Sequence, residues 1–122
     1  MCQLSDQFYA AVRTLASDGP IKKRLFTAFN DNLAHLSFEE LPASIRTRFE
    51  LLWESMHATK PTSKESPVLA SVRKMSKADA NRCANHIVAM FSELVLVKST
   101  GEKLGDKQAQ AAVEQNRYQS LN

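Results

Sequence analysis

Glycine and proline are scarce in this chain, with three glycines and four prolines among 122 residues. Runs rich in valine, threonine or aromatic residues, which favour β-strands, are also few. Because glycine and proline punctuate turns and loops, their scarcity limits how often the chain can break a regular element. The composition therefore indicates a helical protein, and the length fits one domain.

Cysteines and long apolar runs are scarce too. The two cysteines, Cys2 and Cys83, are too few for a secreted disulfide scaffold. No run approaches the ~18 continuous apolar residues of a membrane span. The opening segment MCQLSDQF lacks the basic region and the apolar core of a signal peptide. We therefore expect a cytoplasmic protein with no membrane anchor.

Motifs of common active sites are missing: there is no glycine-rich phosphate loop, no G-x-S-x-G and no H-E-x-x-H. Cys83 and His86 have the spacing i, i+3, but no third residue in the sequence orients them as nucleophile and base. As zinc ligands they would need His35 or His57 to complete the set. We expect Cys83 to pack as a small hydrophobic residue. We predict no enzyme activity, no metal site and no cofactor.

Apolar spacing predicts five helical segments. Ser5 is the predicted N-cap of the first, Gly19 ends it, and Ser76 caps the fifth, where Asp79 complements the helix dipole. The segments cover about residues 6–16, 20–36, 42–57, 67–75 and 77–98, with one short turn at 37–40. The predicted fold class is all-α: an irregular or orthogonal bundle of four to five helices. Residues 1–98 form the predicted bundle domain, and residues 99–122 form a flexible or weakly helical tail.

The fifth segment has the strongest amphipathic pattern and is the predicted centre of the bundle. Its apolar residues fall within about 140° of the helix circumference at 100° per residue. On the second segment, Asn32 shares the apolar face and therefore needs a hydrogen-bond partner if it is buried. The predicted buried stripe of the fifth segment consists of Ala80, Cys83, Ala84, Ile87, Val88, Phe91, Leu94 and Val95.

Basic residues are clustered although the net charge is only +3. The first cluster, Lys22, Lys23 and Arg24, lies in the first turn of the second helix, where cations oppose the helix macrodipole. Local stability does not explain this placement, so the cluster suggests an anionic partner. The second cluster lies where the fourth and fifth helices meet and consists of Arg73, Lys74, Lys77 and Arg82.

Surplus apolar residues suggest a contact with another chain. Leu51 lies opposite the main apolar stripe of the third helix. The fifth helix ends with four consecutive apolar residues, Leu94 to Val97. If this helix packs on one side only, Leu96 points outward into solvent. The predicted partner-binding residues are Leu51, Leu94, Leu96 and Val97.

Two stretches give the chain a resemblance to known sequences: Gly19 to Leu25 (GPIKKRL), and Val72 to Ser76 (VRKMS) running into Ala80 and Ile87-Val88. They resemble a group of small, uncharacterised bacterial helical proteins with a similar order of segments. The resemblance covers about residues 8–95. It implies an all-helical bacterial cytoplasmic protein and carries over no site residues.

These observations favour a non-catalytic function, namely a protein–protein interaction or regulatory adaptor that binds another protein or a second copy of itself. The alternative is nucleic-acid binding through Lys22, Lys23, Arg24, Arg73, Lys74, Lys77 and Arg82. The alternative gains force if the two basic clusters share one face, because their positive potentials then add.

Overall fold

A computed structural model describes residues 3–62 and 64–96 of the chain. Within these ranges the fold is all-α, as predicted. The helices are α1 (Gln3–Leu15), α2 (Ile21–Asn32), α3 (Ala43–Met56), α4 (Pro67–Lys74) and α5 (Lys77–Leu96), with a 3₁₀ turn at Phe38–Glu40 before α3. No helix in the described residues is both long and apolar enough to cross a membrane. The predicted tail lies outside these residues.

Local sequence signals account for most of the helix ends. Gly19 has φ +111°, a conformation that favours glycine, and it separates α1 from α2 as predicted. The Ser76 hydroxyl accepts the Asp79 N–H at 3.0 Å, which confirms the predicted cap of α5. Ser66 caps α4 in the same way by accepting the Leu69 N–H at 3.1 Å.

Two predicted helix boundaries were wrong. α1 begins at Gln3, so Ser5 lies inside the helix and does not cap it. α2 ends at Asn32 rather than at residue 36, because the N–H groups of Leu33 and Ala34 both bond to the Phe29 carbonyl and the chain then leaves the helix. The run Asn30–Asn32 favours this exit, since asparagine and aspartate have low helix propensity. Asn32 finds the partner it needs in the Ala28 carbonyl at 3.1 Å.

The core is continuous and has α5 near its centre. α5 packs against α1, α2 and α3, while α4 packs against α2 and α3. Phe49 contacts the rings of Phe8, Phe38 and Trp53 at centroid distances of 6.5, 5.4 and 6.2 Å. Aromatic pairs at such distances add to the hydrophobic stabilisation of the core. The central position predicted for α5 is therefore confirmed.

The buried face of α5 is narrower than predicted. Ala80, Cys83 and Ile87 are buried, whereas Val88 and Val95 are each 45% exposed. The two valines lie at the edge of the predicted stripe, and no neighbouring helix of the described bundle covers that edge. Their assignment to the core was wrong.

Candidate functional site

The two predicted basic clusters are neighbours in the fold. The Lys22 ammonium donates a hydrogen bond to the Arg73 carbonyl at 2.9 Å, although 51 positions separate the two residues in the sequence. Arg73 lies in the last turn of α4, where backbone carbonyls carry the negative end of the helix dipole. The contact joins the start of α2 to the end of α4.

Arg24 also has a structural role. Its guanidinium donates to the Leu15 carbonyl at 2.6 Å and to the Gly19 carbonyl at 2.7 Å, at the C-terminal end of α1. Such contacts satisfy carbonyls that have no partner inside the helix. The inference that local stability does not explain the first cluster was therefore wrong for Lys22 and Arg24. Each stabilises the end of a different helix.

Two arginines of the second cluster are engaged in ion pairs. The Arg73 guanidinium binds both carboxylate oxygens of Glu65, with Nη2–Oε1 at 2.6 Å and Nε–Oε2 at 3.2 Å. The hydrogen bond from Arg73 lowers the pKa of the Glu65 carboxyl, and Glu65 raises the pKa of Arg73. Arg82 pairs with Asp79, and this hydrogen bond is the main cause of the lowered pKa of Asp79.

Three lysines of the two clusters keep free ammonium groups. Lys23, Lys74 and Lys77 are exposed and make no hydrogen bond or ion pair within the described residues. Lys74 is close enough to Glu65 to help lower its pKa. The cationic surface is consequently smaller than the count of basic residues suggests.

A cleft of about 340 Å³ opens between the C-terminal half of α3, the end of α4 and the first half of α5. Ser71 fixes one wall, because its buried hydroxyl donates to the Pro67 carbonyl at 2.8 Å and accepts the Thr59 N–H at 3.0 Å. The side chains that matter for the chemistry of the cleft are Ser55, Lys74, Asp79, Arg82, Cys83 and His86.

Cys83 lies at the base of the cleft and is 3% exposed. Burial raises the pKa of its thiol, and a hydrogen bond from the Ser55 side chain only partly opposes this effect. Nucleophilic and metal-binding cysteines act as thiolates, which a raised pKa disfavours. Within residues 3–62 and 64–96, no three His, Cys, Asp or Glu side chains are grouped so that they could hold a metal ion.

His86 does not contact a carboxylate; instead, Arg48 of α3 binds it. The Arg48 Nη1 atom lies 3.0 Å from His86 Nδ1. Since a guanidinium can only donate, Nδ1 must accept, and the ring proton of the neutral imidazole must lie on Nε2. Desolvation lowers the pKa of His86, and the nearby charges of Arg48 and Arg82 lower it further. His86 therefore presents a neutral ring with an Nε2–H donor at the cleft.

The predicted partner-binding residues that the structure describes differ in their exposure. Leu51 is 50% exposed on α3, whereas Leu94 is only 7% exposed and belongs to the core. Leu94 therefore has almost no surface to offer a partner, and its assignment was wrong. Leu96 is half-buried at the end of α5. Val97 lies outside the described residues.

An exposed apolar surface does exist, but on another side of α5. Val88 and Val95 are spaced i, i+7, and Phe91 between them packs against Tyr9 of α1 at a centroid distance of 5.9 Å. At 100° per residue, the residues on this side between Asn81 and Val95 span about 120° of the helix and none of them is charged, while Lys77 lies on the same side in the first turn. We call this surface the uncharged strip; it consists of Asn81, Ala84, Asn85, Val88, Phe91, Ser92 and Val95.

The sequence contained a signal for the uncharged strip. Between Asp79 and Leu96 the charged residues are Asp79, Arg82 and Glu93, which lie within about 60° of one another on the opposite flank. Leu51 faces that charged flank, because Arg48 and Ser55, one turn to either side of it, contact His86 and Cys83. Plotting charge as well as hydropathy around α5 would have separated the two flanks.

Comparison of the chain with protein-family models, with curated proteins and with solved structures found no match.

Proposed function

We propose that this chain is a non-catalytic protein-interaction protein of the bacterial cytoplasm, and that the uncharged strip of α5, together with Tyr9, binds a second copy of the chain. The observation that supports the proposal is the combination of exposure and missing charge along more than three turns of one helix. Val88 and Val95 are 45% exposed and Tyr9 is 50% exposed. A protein surface normally places charged groups on such a face.

A symmetric dimer requires this absence of charge. In an interface with a two-fold axis, residues near the axis meet their own copies, so any charged residue there would face a like charge. The uncharged strip avoids this repulsion. Ser92 is exposed and small enough for two helices to approach within the usual ~8–10 Å between axes. The Arg13 guanidinium, 5.9 Å from the Tyr9 ring centroid, lies at the border of the surface, where charge is tolerated.

A non-catalytic function also agrees with the state of Cys83, the cysteine in the cleft. The pKa of Cys83 is raised by burial, and the base nearest in sequence, His86, has its Nδ1 occupied by Arg48. A cysteine nucleophile needs a lowered pKa or an adjacent free base. Cys83 has neither.

Sedimentation equilibrium over a range of protein concentrations tests the proposal. We expect the wild-type chain to dimerise and Val88→Arg to raise the dissociation constant at least tenfold, about 1.4 kcal/mol, because the substitution places two like charges at the axis. Leu51→Arg is the matched control, since Leu51 on α3 is similarly exposed but faces the charged flank of α5. Circular dichroism of both variants checks that they fold.

Two outcomes would overturn the proposal. A wild-type chain that stays monomeric at its highest soluble concentration would rule out self-association. A dimer that Leu51→Arg disrupts and Val88→Arg leaves intact would move the interface to the leucine that sequence analysis selected.

Nucleic-acid binding is a second candidate, and the Lys22–Arg73 contact favours it because that contact places the two basic clusters side by side. Against it, Arg24, Arg73 and Arg82 already have partners, and only a few free cations remain. Titration of labelled duplex DNA and of single-stranded RNA at low and at near-physiological salt tests this candidate. Tight binding with a steep inverse salt dependence would support it. No binding at low salt would remove it.

A further inference from the structure

We infer that the cleft between α3, α4 and α5 binds a small molecule through an oxyanion group, either a phosphate or a carboxylate. This inference is independent of the proposed dimer, because the cleft lies on the charged flank of α5. It rests on three side chains that line the same cavity: Lys74, His86, and Arg82, whose guanidinium has more N–H groups than the one that binds Asp79.

The size of the cleft suits a small ligand. A sphere of 340 Å³ would be about 9 Å across, which admits a molecule of metabolite size and excludes a nucleic-acid duplex or a folded protein segment. Typical small-molecule sites begin at roughly this volume. The buried Ser71 hydroxyl, bonded to the Thr59 N–H and the Pro67 carbonyl, ties the connecting loop to α4 and keeps one wall in place.

The charges around the cleft leave a surplus of donors. Asp79 is the acidic residue of the lining, and its carboxylate is already paired with Arg82 and hydrogen bonded to the Ser76 side chain. Lys74 has no hydrogen bond or ion pair within the described residues, so its ammonium can still donate to a ligand in the cleft, although Glu65 lies close enough to interact with its charge. Charge-assisted hydrogen bonds to an oxyanion are the strongest contacts that these groups can form.

Arg48 prepares His86 for the same role. Because the Arg48 guanidinium donates to Nδ1, the neutral imidazole carries its proton on Nε2. Nδ1 is thereby removed as an acceptor, and the ring is left with only a donor to offer a ligand. An arginine, a lysine and a histidine N–H from α4 and α5 thus surround a space that contains no free carboxylate in the described structure.

Bound anion also has a defined effect on the titration of His86. Arg48 from α3 and Arg82 on α5 are the cations whose charges act on the ring, while Lys74 from α4 and the paired Asp79 line the same cleft. An oxyanion placed among these groups stabilises the imidazolium form. Ligand binding must therefore raise the pKa of His86 relative to that in the ligand-free protein.

The experiment is an NMR titration of the full chain with inorganic phosphate and, separately, with acetate, at ionic strength held constant with sodium chloride. The His86 ring and the backbone amides of residues 71–86 are observed. We expect saturable shifts confined to the cleft and an increase in the His86 pKa. Stronger binding of phosphate or of acetate identifies which oxyanion the site prefers.

Lys74→Gln and Lys77→Gln are the matched variants. Both lysines are exposed members of the same cluster, three positions apart, but only Lys74 lines the cleft. We expect Lys74→Gln to weaken anion binding about tenfold, in line with the loss of one charge-assisted hydrogen bond, and Lys77→Gln to change it less than twofold. Thermal unfolding checks that both variants are folded.

Two results would overturn the inference. One is an absence of saturable shifts at His86 with either anion. The other is an equal loss of binding in Lys74→Gln and Lys77→Gln, which would mean that the anions are attracted to the basic surface in general and not to the cleft.

Discussion

The two flanks of α5 differ in charge and in exposure. The flank towards α3 carries Asp79, Arg82, His86 and Glu93 and borders a cleft in which Asp79 is paired with Arg82 and His86 is hydrogen bonded to Arg48. The flank towards α1 carries no charge between Asn81 and Val95 and leaves Val88 exposed. The two flanks lie on nearly opposite sides of α5, because residues two positions apart, such as His86 and Val88, point about 160° away from each other.

The two flanks differ in which side chains they expose. The stability of the fold comes from the buried face between them. Ile87 and Met90 are fully buried on that face and contribute to the single core of the described bundle. A change on either flank should consequently alter binding and leave folding intact. A change at the core should damage both flanks together.

The largest expected effect is therefore at the shared core. Ile87→Ala should lower the free energy of unfolding by about 2–5 kcal/mol, because it removes buried methyl groups and leaves a cavity. Val88→Ala, one position away and exposed, should change it by no more than about 0.5 kcal/mol. Urea unfolding followed by circular dichroism at dilute protein measures both. An equal loss of unfolding free energy in the two variants would show that Val88 on the uncharged strip stabilises the fold as much as the core does, which contradicts the distinction between flank and core.

A pair of serine substitutions sharpens the contrast between the flanks. Ser71→Ala should cost about 1–3 kcal/mol, because the Thr59 N–H loses its acceptor next to the cleft. Ser92→Ala, at an exposed position of the uncharged strip, should cost less than about 0.5 kcal/mol. Urea unfolding gives the two energies, and hydrogen exchange of the Thr59 amide shows whether the cleft wall has loosened. Unchanged protection of that amide in Ser71→Ala would contradict the role assigned to the hydroxyl.

Sequence periodicity predicted the helices and the central position of α5 in the bundle, because one repeating pattern determines which residues face the core. It could not fix the width of the buried face, since whether Val88 is covered depends on the neighbouring helix and not on its own apolar character. Periodicity also could not predict hydrogen bonds from charged side chains to the backbone carbonyls of other helices. Lys22 and Arg24 look like a local conflict with the α2 dipole, and only the folded arrangement brings the ends of α4 and α1 within reach of them.

Titration of His86, on the charged flank, should produce the smallest effect. The pKa of His86 is lower in the folded chain than its ordinary value of about 6.5, because burial and the charges of Arg48 and Arg82 disfavour the imidazolium. Between that lowered pKa and about 6.5 the unfolded chain therefore binds more protons than the folded chain. The contribution of His86 to stability is complete above about pH 6.5 and is lost as the pH falls towards the folded-state pKa. Urea unfolding at stepped pH should show this loss in the wild type and a smaller pH dependence in His86→Gln. A variant with the same pH dependence as the wild type would mean that another group on the helix controls the response of the charged flank to acid.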